Sequence, residues 1–449
     1  MARERIVVGD FLQSHPDFEF YLDEYAASMA VMADNAERRK RFCAAMRVGA
    51  HAAPGWQGLR QTFERVAARV PAYAHVDWAR DDYFETLPLI DKNTLRARGA
   101  DFLSPFDDRR TWWVRETSGT TGPPVPISWA PEFGFDFHLG AEWKIAWLAG
   151  ALSEESIERD IFSIGIVDKK TVADRVWATP DGHRGLTLRF VFDERDPEAA
   201  PRLVERLRAH PAALLVLKPN ILASLLPALE ARPLESPFSL VVSGGADLDE
   251  PLRHRAMAQL RVPVVTAYGM TELGVVASEC GAGSELHVYS HDVIVEVLRA
   301  DGLIADEGRG ELVLSSVANT AMPLLRFRTG DLGELVRGRC QCGREGLRIV
   351  DLSGRIVRNF RFKDGSELAP TSLNDLFKYF PIREFQVTQS AVDRIELAVE
   401  PRTDVAEAAQ LLAEMRAYVE SETRGQAHIA VTPSVFRPDG KFQRYRSLV

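Results

Sequence analysis

Short apolar runs alternating with amphipathic segments set the texture of the middle of the chain. Ile161–Val167, Leu186–Phe192, Ala213–Leu217, Phe238–Val242 and Val262–Ala267 are rich in Val, Ile, Leu and Phe. Short runs this rich in apolar residues predict strands buried on both faces. Between them, Pro197–Ala209 has helical patterning, as does a segment from Asn220 to about Ala231. Asn220, following Pro219, is a good N-cap, and Pro227 is placed to kink or shorten that helix. Strands separated by helices at this spacing predict βαβ units around a parallel sheet.

The flanks differ. The first hundred residues are patterned mainly as helix, at Asp17–Val48 and Leu59–Val70 around a Pro54–Gly55 break, and are expected to form a lid or packing layer. Thr111–Glu116 and Val125–Trp129 predict two strands joined by a polar glycine turn. His287–Val336 is mostly β-patterned, with hairpins expected at Ala300–Gly302 and Glu307–Gly310. The tail predicts hairpin-like β material at Leu347–Phe362, a helix at Thr371–Tyr379 and strands at Phe385–Gln389 and Arg394–Val399. A long helix at Asp404–Thr423 and a strand at His428–Val435 follow. The expectation is an α/β protein in two parts. A large N-terminal domain, 1–353, holds parallel βαβ sheets and a β-rich subdomain; a small mobile C-terminal α+β domain, 354–449, is hinged near Gly354–Arg358.

Composition narrows the function classes. With 449 residues, 46% apolar and 27% charged, the chain is too long for one core and too apolar for disorder. Its 55 basic and 64 acidic residues give a net charge of −9, which speaks against broad binding to nucleic acid or to an anionic membrane. Four cysteines do not make a disulfide scaffold. No signal peptide is visible at the N-terminus, and the longest apolar runs, such as Ala212–Leu217, are too short to span a bilayer. A cytoplasmic enzyme is expected.

Six segments carry candidate chemistry. Thr117-Ser118-Gly119-Thr120-Thr121-Gly122-Pro123-Pro124 offers glycine turns and hydroxyls that can wrap phosphate oxygens, or is a plain hairpin turn; it lacks the Gly-Lys-Ser/Thr ending of a Walker loop. Ser243-Gly244-Gly245-Ala246 follows a buried strand, where α/β sheets bind ligands, and reads equally as an ordinary strand-to-helix turn. In Thr266-Ala267-Tyr268-Gly269-Met270-Thr271-Glu272, Glu272 can hold Mg²⁺ and Tyr268 offers a ring for stacking; alternatively Thr271 caps a helix with Glu272 in its first turn. In Pro323–Asp331, Asp331 after a glycine turn can accept both hydroxyls of a ribose, while Arg326 and Arg328 can neutralise phosphate; alternatively the segment is a surface hairpin with solvated charges. Gly354-Arg355 and Lys441, the latter in Asp439–Arg444, complete the set; alone, that lysine reads as a solvated charge.

Cys280, His287, Cys340 and Cys342 have the composition of a tetrahedral structural zinc site, although Cys-x-Cys is tight and the two halves lie far apart; unpaired reduced cysteines fit as well. Cys43 reads as core. The aromatic stretch from Phe133 to Trp143 and Trp147, with His138 inside it, reads as core or as one wall of a pocket.

Taken in order, these motifs between Thr111 and Lys441 resemble the adenylate-forming superfamily of acyl-CoA synthetases, peptide-synthetase adenylation domains and luciferases. The chain is most similar to the phenylacetate-CoA ligase branch through Leu286-His287 before Val293–Val297, Cys340-Gln341-Cys342-Gly343 and a glycine turn without lysine. That resemblance implies an acid–CoA ligase in which an aromatic or arylacetic carboxylic acid and ATP give acyl-AMP and pyrophosphate, and CoA then takes the acyl group. It implies that Thr117, Ser118, Gly119, Thr120, Thr121 and Gly122 cover the ATP phosphates. Gly244, Gly245 and Ala246 would line the adenine and acyl sites, with Ala267, Tyr268, Gly269 and Met270 beside the adenine. Thr271 and Glu272 would bind phosphate and Mg²⁺, Asp331 with Arg355 the ribose, and Lys441 the charge developing at the α-phosphorus.

Two positions depart from the family pattern. Val125 stands where many members have lysine, and Val357-Arg358 where an acidic hinge residue is usual. The acceptor therefore stays open between CoA, an amine, a carrier protein and, by AMP transfer, a phenol-like group. A catalytically silent nucleotide- or acid-binding protein is the non-enzyme alternative, opposed by the joint presence of Lys441, Glu272 and Asp331. The oligomeric state, a homodimer included, is also open.

Overall fold

The structure is a computed structural model that describes residues 13–14, 18–20, 56–105, 109, 112–117, 124–130, 133–134, 140–153, 159, 161–168, 174–177, 186–193, 196–235, 238–245, 248, 250–290, 293–353, 359–368, 370–402, 405–435 and 445–448. Among them, fourteen strands form one mixed sheet. From one edge the order is Phe18–Phe20, Asp174–Trp177, Leu186–Phe192, Ile161–Asp168, Leu214–Leu217, Leu240–Gly244 and Val264–Met270. It continues through Gly274–Glu279, Leu286–Val288, Glu345–Ser353, Leu324–Arg339, Gly308–Ser316, Ile294–Leu298 and Ile304–Ala305. Pairing is parallel from Leu186–Phe192 to Val264–Met270. Beyond that strand every pairing is antiparallel.

The parallel half has the two-sided burial that its apolar runs demand. Leu215, Leu217, Val241 and Val264 pack with helices Ala199–Ala209, Pro219–Ala231 and Glu250–Leu260. Leu214, Leu240, Val242 and Val265 face the other way, onto Trp143, Ile145 and Ala146 of helix Ala141–Leu148. The antiparallel half shares a core with the segment from Phe63 to Phe102. Tyr73 fastens the two: its hydroxyl donates to the Pro323 carbonyl and accepts from the Leu325 amide. Burial pushes its phenol well above the ordinary range. Ile90 bridges to Phe327, and buried Arg326 pairs with Glu296 and donates to the Glu85 carbonyl.

A separate four-stranded sheet, ordered His428–Pro433, Arg394–Pro401, Ile382–Ala391, Tyr445–Ser447, has its own core against helix Val405–Glu422. Among the described residues, no helix is long and apolar enough to cross a membrane.

Several local expectations are corrected. Residues 18–20, placed in a helix by patterning, form a strand parallel to Asp174–Trp177; the rest of that expected helix, Cys43 included, lies outside the described residues. Lys218, not Asn220, is the N-cap of Pro219–Ala231, because Pro219 supplies a preset φ at the first helical position. The helix runs on past Pro227. Ala300–Gly302 does make a hairpin, but at 306–307 the chain crosses from one side of Ile294–Leu298 to the other, so no hairpin forms there. Glu345–Ser353, expected as hairpin material of the tail, is an inner strand of the large sheet. Tyr445–Ser447 is a strand that patterning missed.

Candidate functional site

Parallel strands end together at the edge where such sheets bind ligands. In register, Leu217 lies beside Ser243, Ser243 beside Thr266, and Gly244 beside Ala267. Gly244 ends its strand and Gly245 turns with φ +83°, a conformation that favours glycine. Among the described residues, a Cβ added at Gly244 would meet only the Ala267 carbonyl oxygen, at 4.0 Å. Below this edge Arg253 makes two hydrogen bonds to buried Glu279, which accepts the Thr266 amide at 2.7 Å and so fixes the start of the next motif.

Ala267, Tyr268, Gly269 and Met270 are all strand, and Gly274–Glu279 runs back antiparallel after the turn at Thr271–Leu273. The alternative in which Thr271 caps a helix is thereby excluded, because a strand follows the turn. Gly269 permits the reversal: a Cβ there would lie 2.8 Å from the Gly274 carbonyl oxygen. Three contacts converge on this segment. The Tyr268 hydroxyl donates to Asp331 Oδ2 at 2.8 Å, joining two motifs that lie 63 residues apart. Trp129 Nε1 donates to the Thr271 carbonyl at 2.9 Å, tying the glycine-turn hairpin to the motif. Glu272, buried, pairs with Lys92 Nζ at 3.0 Å.

Lys92 escaped the sequence reading. It opens helix Lys92–Arg98, whose N-cap Asp91 and Thr94 form a reciprocal capping box. The Asp-x-x-Thr spacing gives the cap, but nothing local shows that the lysine meets a glutamate 180 residues on. Ile90 fixes it there, exchanging backbone bonds with Arg326 and Arg328. Glu272 is thus a buried carboxylate already facing one cation, a donor that fits a hard metal ion.

The expected phosphate contacts fare unevenly. Trp113–Glu116 and Pro126–Trp129 pair as the predicted hairpin, and Thr117 closes its neck: its hydroxyl accepts the Val125 amide at 3.0 Å. That side chain is buried in a structural bond rather than presented to a ligand. Arg326 and Arg328 are likewise committed, to Glu296 and Glu311. Asp331 follows Gly330, whose φ is +79°. Ser118, Gly119, Thr120, Thr121, Gly122, Ala246, Arg355 and Lys441 lie outside the described residues, as does His138.

Cys280, His287, Cys340 and Cys342 do come together, with ligand atoms all within 4.8 Å of one another. Sheet pairing removes the objection of sequence distance. Cys280 directly follows the strand beside His287, and His287 is paired with Arg348 of the hairpin that carries the cysteine turn. Cys280 and Cys340 Sγ atoms are 3.8 Å apart, and Cys342 Sγ is 3.6 Å from His287 Nε2. The Cys342 amide points at Cys340 Sγ at 3.5 Å. Burial pushes the Cys280 thiol up to about 12 without a metal, and burial with Arg344 and Arg348 nearby lowers His287 to about 4, leaving a neutral imidazole.

Comparison with known proteins gives concordant matches. The AMP-binding enzyme family matches residues 183–320. A phenylacetate-coenzyme A ligase of Thermus thermophilus is 29% identical over 178 residues, 37% of this chain and 40% of that protein. A phenylacetate-coenzyme A ligase of Pseudomonas putida is 23% identical over 264 residues, 53% of this chain and 58% of that one. The chain therefore aligns with less than two thirds of either relative. In fold, it is similar to a 2-hydroxyisobutyryl-CoA ligase solved with 2-HIB-AMP and CoA, at TM-score 0.56 and 18% identity over 92% of this chain and 90% of that one.

Proposed function

Starting from a chain of the adenylate-forming superfamily that is similar to phenylacetate-CoA ligases, we propose that it activates a carboxylic acid with ATP and passes the acyl group to CoA. The observation that carries this reading is the meeting of three sequence motifs at one sheet edge: Gly244–Gly245, Tyr268–Glu272 and Asp331. In the first step a carboxylate oxygen attacks the α-phosphorus, the bond to pyrophosphate breaks, and acyl-AMP forms. In the second the CoA thiolate attacks the acyl carbon and AMP leaves.

Asp331, oriented by Tyr268, is suited to accept ribose hydroxyls. Lys92 brings to Glu272 a cation that the glycine turn lacks, since Val125 is buried where many members carry lysine. Mg²⁺, when bound, would be held by Glu272 and supply charge neutralisation at the phosphates. Lys441 is assigned the charge developing at the α-phosphorus, and 354–449 the role of a domain that moves to deliver it. Support for an aromatic or arylacetic acid comes from the similarity to phenylacetate-coenzyme A ligases, since Phe133 and Trp143 are packed into core clusters. Catalysis is then positioning plus charge stabilisation.

We also assign a structural zinc ion to the Cys₃His cluster. With Zn–S of about 2.3 Å and Zn–N of about 2.0 Å, a tetrahedron has S–S edges of about 3.8 Å and S–N edges of about 3.5 Å. The observed 3.8 and 3.6 Å match, whereas a disulfide needs about 2 Å.

ATP–pyrophosphate exchange over a panel of acids tests the reading. Acid-dependent exchange is expected; none with any acid returns the protein to the class of silent nucleotide or acid binders. Val357 and Arg358 at the hinge favour a second acceptor, an amine or carrier protein, and mass spectrometry of the products with each acceptor decides.

A further inference from the structure

We propose that Glu279 is a positioning residue for nucleotide binding, held in place by the metal that its neighbour Cys280 ligates, so that metal and nucleotide strengthen each other's binding. The inference rests on the adenylation and zinc readings above and adds a link between the two sites. The backbone ladder between Gly274–Glu279 and Val264–Met270 reaches as far as the pair Ser278 and Ala267. One residue on, a side chain takes over: Glu279 Oε2 accepts the Thr266 amide at 2.7 Å. The same oxygen accepts Arg253 Nη1 at 2.6 Å, and that nitrogen also donates to the Val264 carbonyl at 2.8 Å. Arg253 Nη2 completes the fork on Glu279 Oε1 at 2.8 Å. Carboxylate and guanidinium thus hold the backbone on both sides of Val265, and Tyr268 is two residues past the Thr266 amide.

That hold is only as firm as Glu279 itself, which is 2% exposed and ends its strand. Past Cys280 the chain leaves the sheet through an exposed turn, 281–284. Cys280 stands between the two, with its Sγ 3.8 Å from Cys340 Sγ inside the Cys₃His cluster. A metal bound there fixes Cys280, whose Cα is one peptide, about 3.8 Å, from that of Glu279. Without metal the thiol is a loose neighbour of three other side chains, and the strand end rests on the pairing of Glu279 with Leu286. A looser Glu279 frees the Thr266 amide, and the strand carries the displacement to Tyr268, whose hydroxyl orients Asp331 at 2.8 Å. Such coupling is reciprocal: the factor by which metal tightens nucleotide is the factor by which nucleotide tightens metal.

The test measures AMP binding by calorimetry on the zinc-loaded wild type and after chelation, with circular dichroism to follow the fold. Zinc is expected to tighten AMP about tenfold. Saturating AMP should tighten zinc by the same factor, read by competition with a chromophoric chelator. Glu279→Gln has one acceptor oxygen in place of two, so it turns a donor toward Arg253 or Thr266. It should weaken AMP on the loaded protein to near the level of the chelated wild type and bring both factors toward one, while still taking up zinc. A glutamate that serves stability alone would lower the melting temperature and leave the factors at their wild-type values, which overturns the proposal. Equal AMP affinity with and without zinc overturns it too, and leaves adenylation and the metal standing. So does a chelated protein that has unfolded, since the metal then holds the whole fold. A wild type that takes up no zinc removes the metal assignment, one that binds no AMP when loaded removes the nucleotide reading, and this inference falls with either.

Discussion

Replacing Cys340 by Ser should empty the metal site and loosen four strands at once. Cys280 directly follows Gly274–Glu279, His287 sits in Leu286–Val288, and the cysteine turn joins Leu324–Arg339 to Glu345–Ser353. A bound ion therefore ties four consecutive strands of the sheet at one end. An ion that binds only the folded chain stabilises it by RT ln(1 + [Zn]/Kd), about 4 kcal/mol when free metal stands a thousandfold above Kd. The loss should appear as a fall of several degrees in the calorimetric midpoint, and chelation of the wild type should reproduce most of it. Metal analysis should give one zinc per chain for the wild type and a small fraction of that for Cys340→Ser. Cobalt substitution should give the visible bands of tetrahedral thiolate coordination. Purified protein that holds no zinc, takes up none, and melts at the same temperature with and without it would refute the tetrahedral argument, leaving four close but unligated side chains.

Three further outcomes are expected. Lys92→Met leaves the Glu272 carboxylate buried without its cation and should cost about 3–5 kcal/mol in urea unfolding, most of it regained in Lys92→Met/Glu272→Gln; an unchanged midpoint in the single variant means the pair does not form in solution. Lys441→Ala should lower acyl-AMP formation by about 10²–10³ while thioester formation from preformed acyl-AMP persists, and equal loss in both half-reactions rejects its assigned role. Gly269→Ala drives a methyl against the Gly274 carbonyl at 2.8 Å and Val275 Cα at 2.9 Å, so it should destabilise by about 1–3 kcal/mol and weaken ATP binding measured by calorimetry. Wild-type behaviour in that variant would show that the reversal after Met270 is looser than drawn.

The sequence was most legible where a signal is local. Five short runs rich in apolar residues marked the parallel strands because burial on both faces leaves little room for polar side chains, with Ser163 and Thr187 hydrogen-bonded to each other where they do occur. The Tyr268–Glu272 and Asp331 motifs, recognised separately, meet through one hydrogen bond. What stayed hidden is long-range. Lys92 looks like an ordinary first-turn lysine until Ile90 is seen bridged to Phe327. Arg326 and Arg328 look like phosphate ligands, yet Glu311 on the adjacent strand and Glu296 on the strand beyond it take both charges. Thr117 looks like part of a ligand loop because its bond to the Val125 amide depends on how the hairpin closes. The Cys₃His set had the right composition, and only the pairing of His287 with Arg348 brings its halves into range.

The Tyr73 clasp carries a consequence for how the polypeptide is made. Its two partners, Pro323 and Leu325, are 250 and 252 positions downstream. A ribosome adding about 5–20 residues per second needs roughly 12–50 s to supply them. Throughout that delay Phe63, Tyr73 and Phe84 have emerged without the surface that will cover them. Completion of the core around the leading segment therefore waits on residues of the final third, a delay set by topology rather than by the strength of any one contact.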